Sequence, residues 1–263
     1  MSASAATAVA APLLTSTAAR ADAVRALARQ EPDEGLRAML QEIDPARIHA
    51  TVLRLTQFGT RHTASSQTDP VRGIGAATDW VYQQMQAIAA PSSGRMTVQK
   101  QTYVQQPASR IPVPTTITNV IATLQGTASP ERFYVVTGHL DSRVTDVLNF
   151  TSDAPGADDD ATGVAVVLEL ARLFATRQFP GTLVFATVAG EEQGLYGSAH
   201  MAAQMKAAGA DVQGMFSNDI VGASQAWDGT RPDPHTVRLF VEGIPTAVTS
   251  TQISIMQSVG GEN

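Results

Sequence analysis

Cysteine is absent from this chain of 263 residues. That excludes disulfides and thiolate ligands and leaves any metal to histidine, aspartate and glutamate. Such a donor set favours zinc or another borderline-to-hard cation. Lysine is scarce, Lys100 and Lys206 being the only two, so a lysine nucleophile is not expected. No run of Lys or Arg occurs and the net charge is −6, so the electrostatic footprint of a nucleic-acid partner is missing. No apolar run reaches bilayer length, and no membrane span is expected. The serine-hydrolase elbow G-x-S-x-G is missing as well. What remains is ordinary: 43% hydrophobic and 16% charged, enough for one sizeable α/β domain.

Residues 1–33 are dominated by Ala with small polar residues and read as a leader or signal-peptide remnant, with small residues suited to cleavage around Ala19 to Ala23. A secreted or periplasmic location is therefore expected, although a positively charged n-region is missing. The domain proper is expected over 34–263. Asp44-Pro45 is an N-cap and first-turn signal for a helix toward Phe58, with Ile48, Val52 and Leu55 at helical spacing. His62, in G-T-R-H-T, reads as a solvated loop histidine. A second helix is expected over about 74–90, with Ile74, Val81, Met85 and Ile88 on one face. The glycines at 73 and 75 do not make a dinucleotide loop, because no strand precedes them and Thr78 stands at the third glycine position.

Alternation predicts strands over 96–105 and 117–124, an antiparallel edge pair. The continuously apolar runs 133–138 and 182–189 read as strands covered on both faces. Helices are expected over about 163–177 and 195–208, with a strand-like M-F-S-N after them. The alternation predicts a three-layer α/β/α domain around a central mixed, mostly parallel sheet. In such sheets ligands bind at the carboxyl ends of strands. There stand His139 and Asp141, then Glu191 and Glu192, then Asp219, with Asp158-Asp159-Asp160 in a Pro- and Gly-rich turn between them. Carboxylates converging on one edge repel each other, and a divalent cation relieves that repulsion.

The motifs G-H-L-D-S, P-G-A-D-D-D-A-T-G, A-G-E-E-Q-G-L-Y-G-S and N-D-I-V-G, in this order, resemble the co-catalytic di-zinc aminopeptidase family. Its relatives include glutamate carboxypeptidases, glutaminyl cyclases and transferrin receptors. The resemblance implies a zinc-peptidase/phosphorylase-like fold and a peptide substrate whose N-terminal bond is hydrolysed. It also implies two zinc ions: His139 and Glu192 on one, Asp219 on the other, and Asp159 bridging both. Asp141 matches the residue that orients His139, and Glu191 the general base that takes a proton from a metal-bound water.

The family usually completes its second zinc with a His well beyond the position of Asp219. The only later histidine is His235, ahead of an expected strand over 237–241, and it reads as a loop residue. The sequence is expected to be truncated at its C-terminus and to hold the second zinc weakly. A glutaminyl cyclase-like or carboxypeptidase-like enzyme is the alternative, as is a non-catalytic binding module, which predicts loss of ligands that are in fact present. His49 and His200 fall in helical patterns and read as surface or interface residues.

Overall fold

The computed structural model describes residues 33–223. The leader expected at 1–33, apart from Asp33, lies outside the described residues, as do His235 and the strand expected at 237–241. The chain divides into two units between Glu42 and Ile43. In the first, the Asp33 carboxylate accepts from the Gly35 and Leu36 amides and caps a short helix, α1 (Glu34–Leu40).

In the second unit, Asp44 accepts from the Ala46 amide and Pro45 occupies the first turn, which starts α2 (Pro45–Thr56). Ser65 Oγ accepts from the Ile74 amide at the start of α3 (Ile74–Ala89). A single 3-10 turn (Ala90–Ser92) leads into β1 (Met96–Gln105), followed by β2 (Thr115–Leu124) and β3 (Ser129–His139). Then come α4 (Ala161–Phe174), β4 (Gly181–Val188), α5 (Tyr196–Ala207) and β5 (Asp211–Ser217).

The five strands lie in the order β1-β2-β4-β3-β5. β3 runs parallel to both β4 and β5, while β2 is antiparallel to β4 and to β1. Only β2 is therefore reversed, and the sheet is mixed with its other strands sharing one direction. β1 and β2 form the expected antiparallel pair, but only β1 lies at the edge; β2 is bonded on its far side to β4.

Alternation along β4 serves both faces. Phe185 and Leu183 face one cluster, with Leu55 of α2, Val81 and Met85 of α3, and Val164 and Val167 of α4. Val184, Ala186 and Val188 face the other, with Ile121, Val135 and Met201 of α5. Helices thus cover both faces and make three layers. Gly138 brings β3 and α4 into close approach: a Cβ there would lie 2.5 Å from the Gly163 carbonyl carbon. Because β3, β4 and β5 are parallel, their carboxyl ends open on the same edge of the sheet.

Candidate metal centre

His139 is the last residue of β3 and is buried. Its Nδ1 donates to the Asp141 carbonyl oxygen at 3.0 Å, which points Nε2 outward. Facing Nε2 are Asp159 Oδ1 at 3.0 Å and Asp219 Oδ1 at 3.8 Å. Burial alone disfavours a charged imidazole. Asp141, Asp159 and Asp219 outweigh it and raise the His139 pKa. In turn, the His139 ring holds Asp159 below the ordinary carboxylate value. Positive charge is thus drawn to the point between Nε2 and the two aspartates, where a cation would sit.

Each flanking aspartate of the 158–160 turn has its own duty. Asp160 accepts from the His139 amide at 2.9 Å through Oδ2 and from the Gly163 amide at 2.8 Å through Oδ1, capping α4. Burial nonetheless pushes its carboxyl up to about 7. Asp158 Oδ1 accepts from the Gly222 amide at 3.0 Å. His139, Asp160 and Asp219 each offer a ligand atom within 4.8 Å of the others, but both Asp160 oxygens are engaged by backbone amides. Asp159 is the aspartate of the turn turned toward the imidazole.

Asp219 follows β5 in a segment pinned from two sides. The Asn218 backbone and side-chain amides both donate to the Thr137 carbonyl of β3, and the Val221 amide donates to Thr162 Oγ1 of α4. Beyond β4 stand Glu191 and Glu192. The buried carboxylate of Asp141 accepts both of their amides, Glu191 at 3.1 Å and Glu192 at 3.0 Å, and also the Thr63 hydroxyl at 3.2 Å. Its own oxygen lies 3.7 Å from His139 Nδ1, so the imidazole is oriented by the Asp141 carbonyl while the carboxylate braces the Glu191-Glu192 turn. Burial raises the pKa of Glu191 and of Glu192, the latter opposed by Arg143, whose Nε lies 2.5 Å from Glu192 Oε2. Arg110 Nη1 donates to the Glu192 carbonyl at 2.9 Å.

All six residues singled out in the sequence thus stand on one edge of the sheet, but their grouping differs from the expected one. The resemblance paired His139 with Glu192; the geometry sets Asp219 beside the imidazole and Glu192 against Arg143. His62 is also different from expectation. It is 1% exposed, with Nδ1 accepting from the Ala64 amide and Nε2 donating to the Val147 carbonyl, so it is a buried brace and not a solvated loop histidine. His49 is exposed and His200 half-buried, stacked on Tyr103 at 4.1 Å between centroids. Arg61, Thr63, Arg110 and Arg143 carry no sequence signal of their own, since most of their partners are backbone carbonyls or residues distant in the chain.

Carboxylates gathered around an imidazole at the carboxyl edge of a mixed sheet define an α/β protein with a candidate metal-binding group. Residues 119–252 match Peptidase family M28, and the chain belongs to that family. It is 55% identical over 238 residues to a "Probable zinc metalloprotease" of Pyricularia oryzae, covering 90% of this chain and 47% of that protein. A second "Probable zinc metalloprotease", from Leptosphaeria maculans, is 50% identical over 237 residues, covering 90% and 55%. The chain thus spans about half the length of the curated relatives it matches. Among solved structures, its fold is similar to LapB from Legionella pneumophila, with TM-score 0.55 and 23% identity over 74% of this chain and 48% of that one. It is also similar to the glutaminyl cyclase of Porphyromonas gingivalis, with TM-score 0.55 and 23% identity over 70% and 62%.

Proposed function

We propose that the edge formed by β3, β4 and β5 is the zinc centre of a metallopeptidase that removes residues from the N-termini of peptides. The observation that carries this reading is the pair of carboxylates, Asp159 and Asp219, converging on His139 Nε2 at 3.0 and 3.8 Å. A mixed imidazole and carboxylate donor set fits zinc better than calcium or magnesium, which take oxygen alone. In this reading His139, Asp159 and Asp219 would hold one ion, and Glu192, together with Asp159, would hold a second. Zinc bound there would supply Lewis acidity for the scissile carbonyl and lower the pKa of water.

The chain's own residues then divide the work. Asp141 and Thr63 fix the backbone of the Glu191-Glu192 turn. Glu191 is half-buried, with its proton affinity raised by that burial, as suits a carboxylate that takes a proton from water and passes it to the leaving amine. The relatives named as zinc metalloproteases support the reaction class, and a peptide is the substrate it implies. Export, read from the small-residue stretch near Ala19 to Ala23, belongs to the same proposal. It would be abandoned if the protein were recovered from its source cells with that stretch intact.

The test is Glu191→Gln assayed on a leucine anilide. Zinc content should equal that of the parent while turnover falls at least about a hundredfold, the scale of a positioned base. Unchanged turnover would remove Glu191 from the mechanism. A parent that ignores the anilide but cyclises an N-terminal glutamine peptide would replace the peptidase reading with the cyclase one.

A further inference from the structure

Arg61 is 0% exposed, yet it lies in a loop. Its Nε donates to the Leu140 carbonyl at 2.7 Å, Nη1 to the carbonyls of Leu55 at 3.2 Å and Pro155 at 2.6 Å, and Nη2 to that of Gly156 at 2.9 Å. Those four carbonyls belong to three places. Leu55 is in α2, Leu140 sits between His139 and Asp141, and Pro155-Gly156 opens the turn that carries Asp158, Asp159 and Asp160. Ser142 doubles the tie: its Oγ accepts from the Arg61 amide at 3.1 Å and donates to the Ala154 carbonyl at 2.6 Å, and its amide donates to the Arg61 carbonyl at 3.3 Å.

Neutral amides satisfy carbonyls as well as a guanidinium does, so a buried cation at this place needs a reason. Burial pulls its pKa down to about 10, and Asp141, Asp160 and Asp159 act in the opposite direction. Arg61 therefore places a fixed positive charge behind the carboxylates of the site while its planar fork sets the distance between the two backbones that bear them. Gly156 leaves room for this: its φ is +48°, and a Cβ there would lie 2.9 Å from Arg61 Nη2 and 2.4 Å from the Asp159 carbonyl oxygen.

We infer that Arg61 is a positioning residue that registers the His139-Asp141 end of β3 against the Asp159 turn, and so sets the affinity of the site for zinc. The inference rests on the metal reading given above. Arg61→Lys keeps the charge but not the fork, and Ser142→Ala removes the second tie. Glu169→Gln is the control, since Glu169 joins α4 to the start of α2 and takes no part in the site. Amide hydrogen exchange over residues 138–142 and 155–160 is followed without metal, and zinc affinity by competition with a chromophoric chelator.

In Arg61→Lys, exchange in both segments should quicken at least about tenfold, and zinc affinity should fall by about 10- to 100-fold. Glu169→Gln should lower the melting temperature and move neither quantity. Parental exchange in Arg61→Lys overturns the inference. So does a loss of zinc affinity in both variants in proportion to lost stability. If Arg61→Lys does not fold, Ser142→Ala decides: quicker exchange and weaker zinc binding support the role, parental values end it. Should the parent chain bind no zinc, the metal reading fails, and the exchange comparison still decides what Arg61 does.

Discussion

Three consecutive aspartates, 158 to 160, have identical side chains and different roles, because backbone amides claim two of them first. Asp158 is taken by the Gly222 amide, Asp160 by those of His139 and Gly163, and Asp159 is left to face His139 Nε2. Asp159→Asn should therefore weaken zinc binding by more than about tenfold while melting stays near the parent. Asp160→Ala removes a helix cap and the partner of a buried amide, and should cost about 1–3 kcal/mol in thermal or denaturant unfolding. If both variants lose stability and zinc alike, this division of labour is wrong. From residue types alone the turn reads as polar and acidic but is not divided; only the family resemblance points to the middle aspartate. Arg61 and His62 were illegible for a physical reason. Their partners are the carbonyls of residues 55, 140, 147, 155 and 156, and every residue has a carbonyl.

At the scale of elements, periodicity places α2, α3 and α4 to within a few residues, because one-sided burial imposes that spacing, whereas α1 buries no side chain and carries no such pattern. β3 began earlier than expected. Ser-Pro-Glu-Arg at its start lacks the apolar pattern, yet Ser129 pairs with Gly181 and Arg132 with Asp211. The sheet order was not legible either, since the pairing of β2 with β4 joins segments separated by β3 and α4. Glu169 of α4 shows how these elements are fastened. One oxygen accepts from the Asp44 amide at 2.9 Å, Arg172 holds both oxygens, and Arg47 lies 3.7 Å away. Burial pushes its pKa up, but these donors outweigh burial and leave the folded value below the ordinary one. A depressed folded pKa gives stability that is present above the unfolded value of about 4.3 and is lost as pH falls through the folded one. Glu169→Gln should thus lower stability at neutral pH by about 1.5–3 kcal/mol and flatten its decline below about pH 4. An acid limb as steep as the parent's would count against this account.

At the scale of the whole molecule, β4 is, among the described residues, the most deeply buried strand of the sheet and β5 the most exposed. β4 is buried on both faces. β5 pairs with β3 alone among the described residues, and Phe216 (63% exposed), Met215 and Val212 stand in solvent. Exposed strand edges with apolar side chains open easily and invite pairing between copies. Yet Asp219, half of the pair facing His139, hangs from this strand. A cation shared by His139, Asp159 and Asp219 would tie the end of β5 to β3 and to the start of α4, the three elements already joined there by Asn218, Thr137 and Thr162. Zinc at a hundred times its dissociation constant stabilises a folded state by about 2.7 kcal/mol. Much of that gain should appear where opening is cheapest. On adding zinc, amide exchange over Asp211–Ser217 should slow more than over Gly181–Val188, a chelator should reverse it, and Asp219→Asn should abolish the difference. Uniform slowing along the chain, or slowing that survives Asp219→Asn, would mean that the metal does not tie β5 to the site.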